Sequence, residues 1–376
     1  MRPRTDKIPI YILVGISLVA VIFIFIELNT KVKMYAGFYQ EKKTAAALTQ
    51  QAFESVKEKR VGDGFLIDAI NDPNETGLIG LQNSLITTEP GELSAKLTTT
   101  NPNFAAVVVE LLKQAGLKES DVVLVSFSGS FPALNVAVIS SCDVLKLEPI
   151  IITSVGSSMW GANDPKFTYL DMEKYLYDRG LITHRSVSAS IGGVDDIGRG
   201  LSPEGRALIM KAIIRNGVDS IRTDNLEESV KLRMAIYEAQ TQNRAIKAFI
   251  NVGGSAVALA GAEIPSGIVD RIKFASNQGM VGEFLRRGVP VINLDDIMQL
   301  ARQHDLPLAP IPLPAIGKGK IFYEARYSIA WAAIFAAILL IIIFVILRID
   351  VDYYLRMTAG IKRTGDRDGK TDNKGV

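Results

Sequence analysis

Two long apolar runs, one near each end of the chain, place the strongest constraint on what this sequence can fold into. The runs are Ile8–Ile26 and Ser328–Leu347, and neither contains a charged residue. A helix of about 20 apolar residues is long enough to cross the hydrocarbon core of a bilayer. We therefore predict two transmembrane helices, at residues 8–28 and 327–347, with the bulk of the chain between them.

The flanks of these runs bear on membrane topology. Arg2, Arg4 and Lys7 precede the first run, and no small-residue cleavage pattern follows it, which is typical of an uncleaved signal anchor. Basic residues near the spans are equally numerous on the two sides, so they do not decide the orientation. A short basic amino terminus is usually retained in the cytoplasm. We predict a two-pass protein of the cell membrane, with cytoplasmic tails at residues 1–7 and 348–376 and an extracytoplasmic domain. The second tail is expected to be partly disordered.

The composition excludes several classes of function. A formal net charge of +2 gives no basic footprint for nucleic acid. Cys142 is the single cysteine, so no intrachain disulfide can form. The chain has two histidines, so a zinc site built from His and Cys clusters is not expected, and we predict no cofactor.

The region between the spans divides into two parts. Residues 29–70 include a stretch rich in Ala, Gln, Glu and Lys, which predicts a membrane-proximal helix. Residues 71–320 alternate short apolar runs with helical segments, the pattern of a parallel sheet covered on both faces. The predicted fold is α/β, with a doubly wound, mostly parallel sheet of at least five strands. The predicted strands are Asp121–Ser126, Glu148–Thr153, His184–Ser190, Ala248–Asn251 and Val289–Asn293.

Several predicted strands end in turns made of serine and glycine. In open parallel sheets, ligands bind beyond the carboxyl ends of the strands, where free N–H groups and hydroxyls attract anions. Turns of this kind also occur for purely structural reasons. We predict that these loops meet at one anionic ligand. The candidate ligand-binding residues are Ser126, Ser128, Gly129, Ser130, Ser157, Ser158, Gly192, Gly193, Asp195, Gly253, Gly254 and Ser255.

Ser128 is a candidate nucleophile because it follows a strand and precedes a helix. A nucleophile elbow has glycine two residues before and after the serine, whereas this chain has Ser126 and Ser130 there. A catalytic triad would also need His184 or His304 beside it. The pattern therefore favours a non-catalytic serine.

Asp195 and Asp196 are the other catalytic candidates. Adjacent carboxylates can differ in pKa and serve as acid and base, or can bind a divalent cation. The alternative is a solvated loop that caps the helix beginning at Pro203. Trp160 and Asn163 lie in a polar turn and are predicted surface contacts, although Trp160 could equally fold back onto the sheet.

A set of short motifs resembles the bacterial poly-gamma-glutamate system protein family. The motifs are Glu75–Gly80 (ETGLIG), Ile86–Thr88 (ITT), Asn101–Ala106 (NPNFAA), Ser126–Asn135 (SFSGSFPALN), Trp160–Asn163 (WGAN) and Ser190–Gly193 (SIGG). The resemblance implies a membrane protein of the machinery that makes and exports poly-gamma-glutamate, a capsule or secreted polyanion. It implies no catalytic residue. The Gly-Lys-Ser/Thr loop of a P-loop ligase is also missing from the sequence.

Three functions are compatible with these features. The leading hypothesis is an accessory protein whose α/β domain binds or guides the polymer, or docks on the synthase. The second is a membrane-tethered amide hydrolase or transferase that acts on the polymer through Ser128 or the Asp195/Asp196 pair. The third is a structural subunit of an export complex, for which the small residues in both spans offer close helix packing.

Overall fold

The computed structural model describes residues 8–349 and Leu355, so the predicted tail at residues 1–7 and most of the tail from residue 348 lie outside the described residues. The chain forms two compact units. Among the described residues, one unit combines those up to Met34 with those from Glu324 onward, and the other is Tyr35–Tyr323.

The helices follow the chain in this order: α1 Ile10–Asn29, α2 Tyr39–Gly62, α3 Leu93–Thr99, α4 Phe104–Gln114, α5 Pro132–Leu145, α6 Tyr169–Asp178, α7 Pro203–Arg215, α8 Leu226–Thr241, α9 Ala256–Leu259, α10 Arg271–Phe274, α11 Met280–Arg286, α12 Ile297–Gln303 and α13 Ile329–Arg348, with a 3-10 turn at Lys320–Phe322 before α13. The strands are β1 Val32–Tyr35, β2 Val122–Ser128, β3 Glu148–Ser154, β4 Asn163–Asp164, β5 Phe167–Thr168, β6 Ser186–Ser190, β7 Asp219–Ser220, β8 Ile246–Val252, β9 Gly267–Ile268, β10 Val291–Leu294 and β11 Tyr323–Arg326.

Helices α1 and α13 make up most of the first unit. Each has 20 residues and is apolar enough to cross a membrane, and only 6% of each apolar window is buried. The two helices contact each other, with the Phe23 and Phe335 rings stacked at 4.6 Å between centroids. Long helices with exposed apolar side chains on all sides suit lipid rather than water.

A seven-stranded sheet organises the described part of the second unit. Its strand order is β7-β6-β3-β2-β8-β10-β9. Neighbouring strands are parallel except that β9 runs antiparallel to β10. The predicted α/β fold with a doubly wound, mostly parallel sheet is confirmed. Strand β2 lies in the middle: the chain moves from it through β3 to β6 and β7, and later returns to β8 on its other side.

Alternating side chains of β2 build the core on both faces of the sheet. Val123, Val125 and Phe127 join one apolar cluster with α2, α4 and α5. Val122 and Leu124 join a second cluster with side chains of α8, α9 and α11. All seven residues of β2 are buried. The strand is therefore covered on both faces, as its continuous apolar sequence requires.

Helix α2 lies within residues 29–70, where a membrane-proximal helix is expected. Ala45, Ala46 and Phe53 are buried in the core cluster with α4 and α5. The buried Lys42 ammonium donates to the Ile321 carbonyl and pairs with Glu110 at 2.5 Å. Because a stripe of small apolar residues packs on other helices, α2 is an integral layer of the α/β unit.

Candidate functional site

The carboxyl ends of four adjacent strands meet around one pocket. Strand order reverses between β2 and β8, and in doubly wound sheets ligands bind at such a switch point. The cavity there has a volume of about 420 Å³, within the range of small-molecule sites. Residues from the loops after β2, β3, β8 and β10, and from the segment entering α3, line it. The lining residues that matter below are Glu89, Glu92, Lys96, Ser130, Phe131, Ser158, Gly254, Asp295 and Asp296.

Two glycines allow these loops to pack so closely. Gly129 follows β2, and a Cβ there would lie 2.4 Å from the Val155 carbonyl oxygen. Gly253 has φ of +82°, and a Cβ would lie 3.2 Å from the Ser128 Cβ. Side chains at these positions would separate the loops after β2, β3 and β8. The sequence uses glycine here for close backbone approach.

Lys96 is the buried cation of the pocket, with 4% of its surface exposed. Its Nζ donates to the Ser130 carbonyl oxygen at 2.6 Å and contacts the Ser158 Oγ at 2.7 Å. It also lies 3.7 Å from the centre of the Phe131 ring. Burial lowers the pKa of Lys96 to about 7, although Glu89 and Asp295 act in the opposite direction. Lys96 therefore exchanges a proton near neutral pH.

Carboxyl groups outnumber the lysine in this pocket. Burial raises the pKa of Glu89, while nearby Lys96 lowers it. The pKa of Asp295 is raised to about 6, by burial first and then by the neighbouring charges of Asp296 and Glu89. Glu92 and Asp296 also line the wall. Among its described residues, the pocket carries a net negative charge once these groups ionise, so it suits a ligand that brings a positive charge.

Asp196 lies in a separate buried cluster at the same edge of the sheet. It forms an ion pair with Arg233 at 3.0 Å, and both side chains are almost fully buried. Its carboxylate also accepts hydrogen bonds from the hydroxyls of Ser154, Ser190 and Ser229. Both carboxylate oxygens of Asp196 therefore accept hydrogen bonds from protein side chains. This arrangement ties β3 and β6 to α8 and leaves Asp196 enclosed.

Asp195 and Asp196 contact different partners. Asp195 is partly exposed and pairs with Arg199 at 2.8 Å. It borders a groove of about 980 Å³ between α8 and α11, whose charged side chains largely pair with one another. The two aspartates therefore do not face one shared space. Among the described residues, no group of three His, Cys, Asp or Glu side chains is placed to hold a metal ion. Cation binding at Asp195/Asp196, one of the alternatives that the sequence left open, stays untested.

Ser128 does not have the surroundings of a triad nucleophile. Its Oγ accepts a hydrogen bond from the Ser130 N–H at 3.2 Å, which shapes the turn before α5. His184 contacts Asp143 at 3.0 Å at the opposite edge, where β6 begins. His304 ends α12. Neither histidine is a hydrogen-bond partner of Ser128.

The remaining predicted ligand residues take several positions. The hydroxyls of Ser126 and Ser255 are buried and, in the part of the chain that is described, have no hydrogen-bond partner. Ser157 Oγ donates to the Ser158 carbonyl. Gly192 and Gly193 adopt positive φ in the loop that leads to Asp196. Of the predicted set, Ser130, Ser158 and Gly254 line the pocket.

One predicted surface contact is wrong. Asn163 is fully buried. Its Oδ1 accepts a hydrogen bond from the Leu81 N–H, and its Nδ2 donates to the Leu81 carbonyl and the Thr87 hydroxyl. It fixes the segment before α3 against the loop after β3. Trp160 is half-buried and adopts a positive φ of 66°, so its side chain is only partly available to a partner.

Sequence reasoning missed the charged residues of the pocket. Glu89 lies in Glu89-Pro90-Gly91, which indicates only a chain break, and Asp295 reads as an ordinary helix start. Lys96 is a single lysine in a short threonine-rich helix, with no local pattern that marks it as buried. The one usable signal was the position of Asp295 directly after an apolar strand at the ligand-binding edge.

Comparison with known proteins adds no relative to this description. No family model matches the chain, no curated protein matches it, and no solved structure matches it.

Proposed function

We propose that this chain is a two-pass membrane protein whose α/β domain binds the amino-bearing end of a gamma-linked glutamate chain. In this proposal it is an accessory component of poly-gamma-glutamate synthesis or export. The motifs that resemble the poly-gamma-glutamate system proteins supply the ligand class. The observation that carries the proposal is the pocket at the switch point, where Lys96 faces Glu89 and Asp295.

The charge balance of the pocket selects the end of such a polymer over its middle. Internal residues of the polymer present one carboxylate each and would meet the ionised carboxyls of Glu89, Glu92, Asp295 and Asp296. The terminal residue has a free amino group as well. Burial raises the pKa of both Glu89 and Asp295, and an ammonium group beside them would favour their ionised forms, in the same direction as Lys96.

Polar groups near Lys96 suit the next part of that ligand. The lysine Nζ and the Ser158 hydroxyl lie together at the wall of the cavity. An amide carbonyl can accept a hydrogen bond from either group. A ligand with an amino group at one end and an amide a few bonds away therefore matches the two halves of the pocket.

Calorimetry on the full chain in detergent micelles tests this proposal. The ligands are a short gamma-linked glutamate oligomer and the same oligomer acetylated on its terminal amine. We expect the free amine to bind at least about tenfold more tightly, and the preference to grow as pH rises through 6 and Asp295 ionises. Asp295→Asn should weaken binding of the free amine, whereas Asp178→Asn, which changes an exposed carboxylate on α6, should not. Equal binding of both oligomers would refute the proposed ligand end.

Topology is the second part of the proposal, with both termini in the cytoplasm and the α/β domain outside. The short basic amino terminus supports it. Cys142 is fully buried, so a cysteine introduced at the exposed Lys231 becomes the reactive thiol. A membrane-impermeant maleimide should label Lys231→Cys in intact cells. Labelling only after lysis would place the domain in the cytoplasm.

A further inference from the structure

Ser158 and Lys96 stand in the relation of a nucleophile to its base. The distance from Lys96 Nζ to Ser158 Oγ is 2.7 Å, within the range that proton transfer requires. Serine–lysine pairs replace the serine–histidine pair in several unrelated hydrolases. We propose that Ser158 and Lys96 form a catalytic dyad for acyl transfer from amide substrates. The inference rests on the proposed function only for the identity of the amide.

The backbone around Ser158 is fixed in a way that aims its hydroxyl. The Ser158 N–H donates to the Ser130 Oγ at 3.0 Å, and its carbonyl accepts from the Ser157 Oγ at 3.0 Å. A Cβ on Gly91 would lie 3.2 Å from the Ser158 Oγ, so glycine keeps space beside the hydroxyl. A reactive group must be held in place before the substrate arrives, and these contacts hold this one.

Lys96 is held with equal precision. The Ser130 carbonyl accepts a hydrogen bond from Lys96 Nζ at 2.6 Å, and the Phe131 ring packs against the same nitrogen. In the structure Lys96 Nζ donates to Ser158 Oγ at 2.7 Å, and once the amine is neutral the same contact lets the Ser158 hydroxyl donate to Nζ instead. The carboxyl groups facing this pocket are Glu89 and Glu92 from the segment entering α3, and Asp295 and Asp296 from the loop after β10. Burial nevertheless dominates, so the pKa of Lys96 falls to about 7 and the neutral base is populated at neutral pH.

The chemistry balances without any further group. The Ser158 Oγ forms a bond to the amide carbon as its proton passes to Lys96 Nζ, and the carbonyl π electrons move to oxygen. When the carbonyl reforms, the C–N bond breaks and Lys96 returns the proton to the leaving amine. Water, or a second amine, then attacks the Ser158 ester, gives its proton to Lys96, and releases the acid or the new amide as Ser158 Oγ regains the proton.

The position of the pair also suits the charge that develops on the carbonyl oxygen. Ser130 and Phe131 directly precede α5, whose first turn therefore lies at the pocket. α5 begins with Pro132, which has no N–H, so this helix end contributes the positive end of its dipole. Negative charge forming next to Ser158 is thus favoured on that side.

A covalent probe tests the dyad independently of any natural substrate. The full chain in detergent micelles is treated with a fluorophosphonate, and the adduct is located by mass spectrometry. We expect one adduct, on Ser158, whose rate rises with pH through about 7 and then levels, following the neutral fraction of Lys96. Ser158→Ala should abolish it. Ser220→Ala, which changes an exposed serine on β7, should leave it unchanged.

Two lysine variants separate catalysis from a structural role. Lys96→Met keeps the aliphatic stem, and Lys96→Arg keeps a cation that cannot act as a base near neutral pH. Both should slow labelling by about 100-fold or more and remove the pH dependence. Absence of an adduct on Ser158, or an unchanged rate in both folded variants, would overturn the dyad.

The same reagents distinguish the two proposals. Gamma-glutamyl 4-nitroanilide is an amide whose acyl part has a free amino group, and the dyad should release nitroaniline from it in the wild type only. If the Ser158 adduct forms but free and acetylated oligomers bind equally, the dyad stands and the proposed ligand is wrong. If the free oligomer binds selectively while Ser158 stays unmodified, the binding function stands and the dyad is wrong.

Discussion

Two charged clusters lie at the same edge of the sheet, and they differ in how far their carboxyl groups are enclosed. In the first, Asp196 has Arg233 and three serine hydroxyls as partners and is closed to solvent. In the second, Lys96 lies beside a cavity with one carbonyl and one hydroxyl as hydrogen-bond partners. The enclosed cluster holds elements together, with Arg233 Nη1 as a buried nitrogen that has no hydrogen-bond partner among the described residues. The cluster that is open on a cavity has capacity for a ligand.

The acid–base behaviour of the clusters follows the same division. The pocket has a lysine with its pKa lowered to about 7 and an aspartate with its pKa raised to about 6. Perturbed groups that converge in a cleft are typical of functional sites, although structural ion pairs can also perturb pKa values. Here the cavity and the short Lys96–Ser158 distance favour the functional interpretation.

The largest expected effect is on the closed cluster. Asp196→Asn leaves the buried Arg233 guanidinium without a counter-charge, and we expect the free energy of unfolding to fall by about 3–5 kcal/mol. Urea unfolding of the full chain in detergent, followed by circular dichroism, measures it. The double variant Asp196→Asn/Arg233→Met removes both charges and should recover part of the loss. A loss below about 1 kcal/mol in Asp196→Asn would contradict the structural role.

Lys96→Met should have an effect of the opposite sign, and its size should depend on pH. The pKa of Lys96 is about 7 in the folded chain and near 10.5 when unfolded. Between these values the unfolded state binds the extra proton, so this lysine makes stability rise with pH, by up to about 1.4 kcal/mol per pH unit. The variant loses that contribution. Its stability relative to wild type should be greatest near pH 7 and decline toward pH 10.

The same urea series at several pH values checks this expectation. Wild type and Lys96→Met are compared at each pH, so groups common to both cancel. Lys231→Met is the matched control, because that lysine is exposed and pairs with Glu227 on the surface. Its stability difference from wild type should stay nearly constant over the same range. A constant difference for Lys96→Met would mean that the lysine is not held neutral.

The sequence was sufficient to predict the longer strands of the sheet because each of them is a local apolar run. Asp121–Ser126 and Glu148–Thr153 are short, nearly continuous apolar runs between turns, and both became central strands. The two-residue strands β7 and β9 have no comparable apolar run. They are strands only because they pair with β6 and β10. Parallel strands also place the loops at the carboxyl edge together. The loops after β2, β3 and β8 contribute Ser130, Ser158 and Gly254 to the pocket, whereas Gly192 and Gly193 after β6 do not line it.

The chemistry of the pocket could not be predicted in the same way. Lys96 is buried only because α3 folds over the ends of β2 and β3, and this contact joins residues distant in sequence. Asp195 and Asp196 are adjacent and identical in type, yet one is partly exposed and the other enclosed. Local composition does not encode which neighbour turns inward. Asn163 was misplaced for the same reason, since a polar turn residue can also serve as a buried clamp.

The adjacent aspartates provide the smallest effect and the most direct test of the comparison. Asp195 pairs with Arg199, whose side chain is 66% exposed, and such surface pairs contribute at most about 1 kcal/mol. Asp195→Asn should therefore change the free energy of unfolding by less than about 1 kcal/mol, with the residual effect reduced by added salt. The Asp196→Asn effect should persist in salt, because its partner is fully buried. If both variants lost similar stability with similar salt dependence, burial would not be what separates the two carboxylates, and the enclosed cluster would have to be open to solvent.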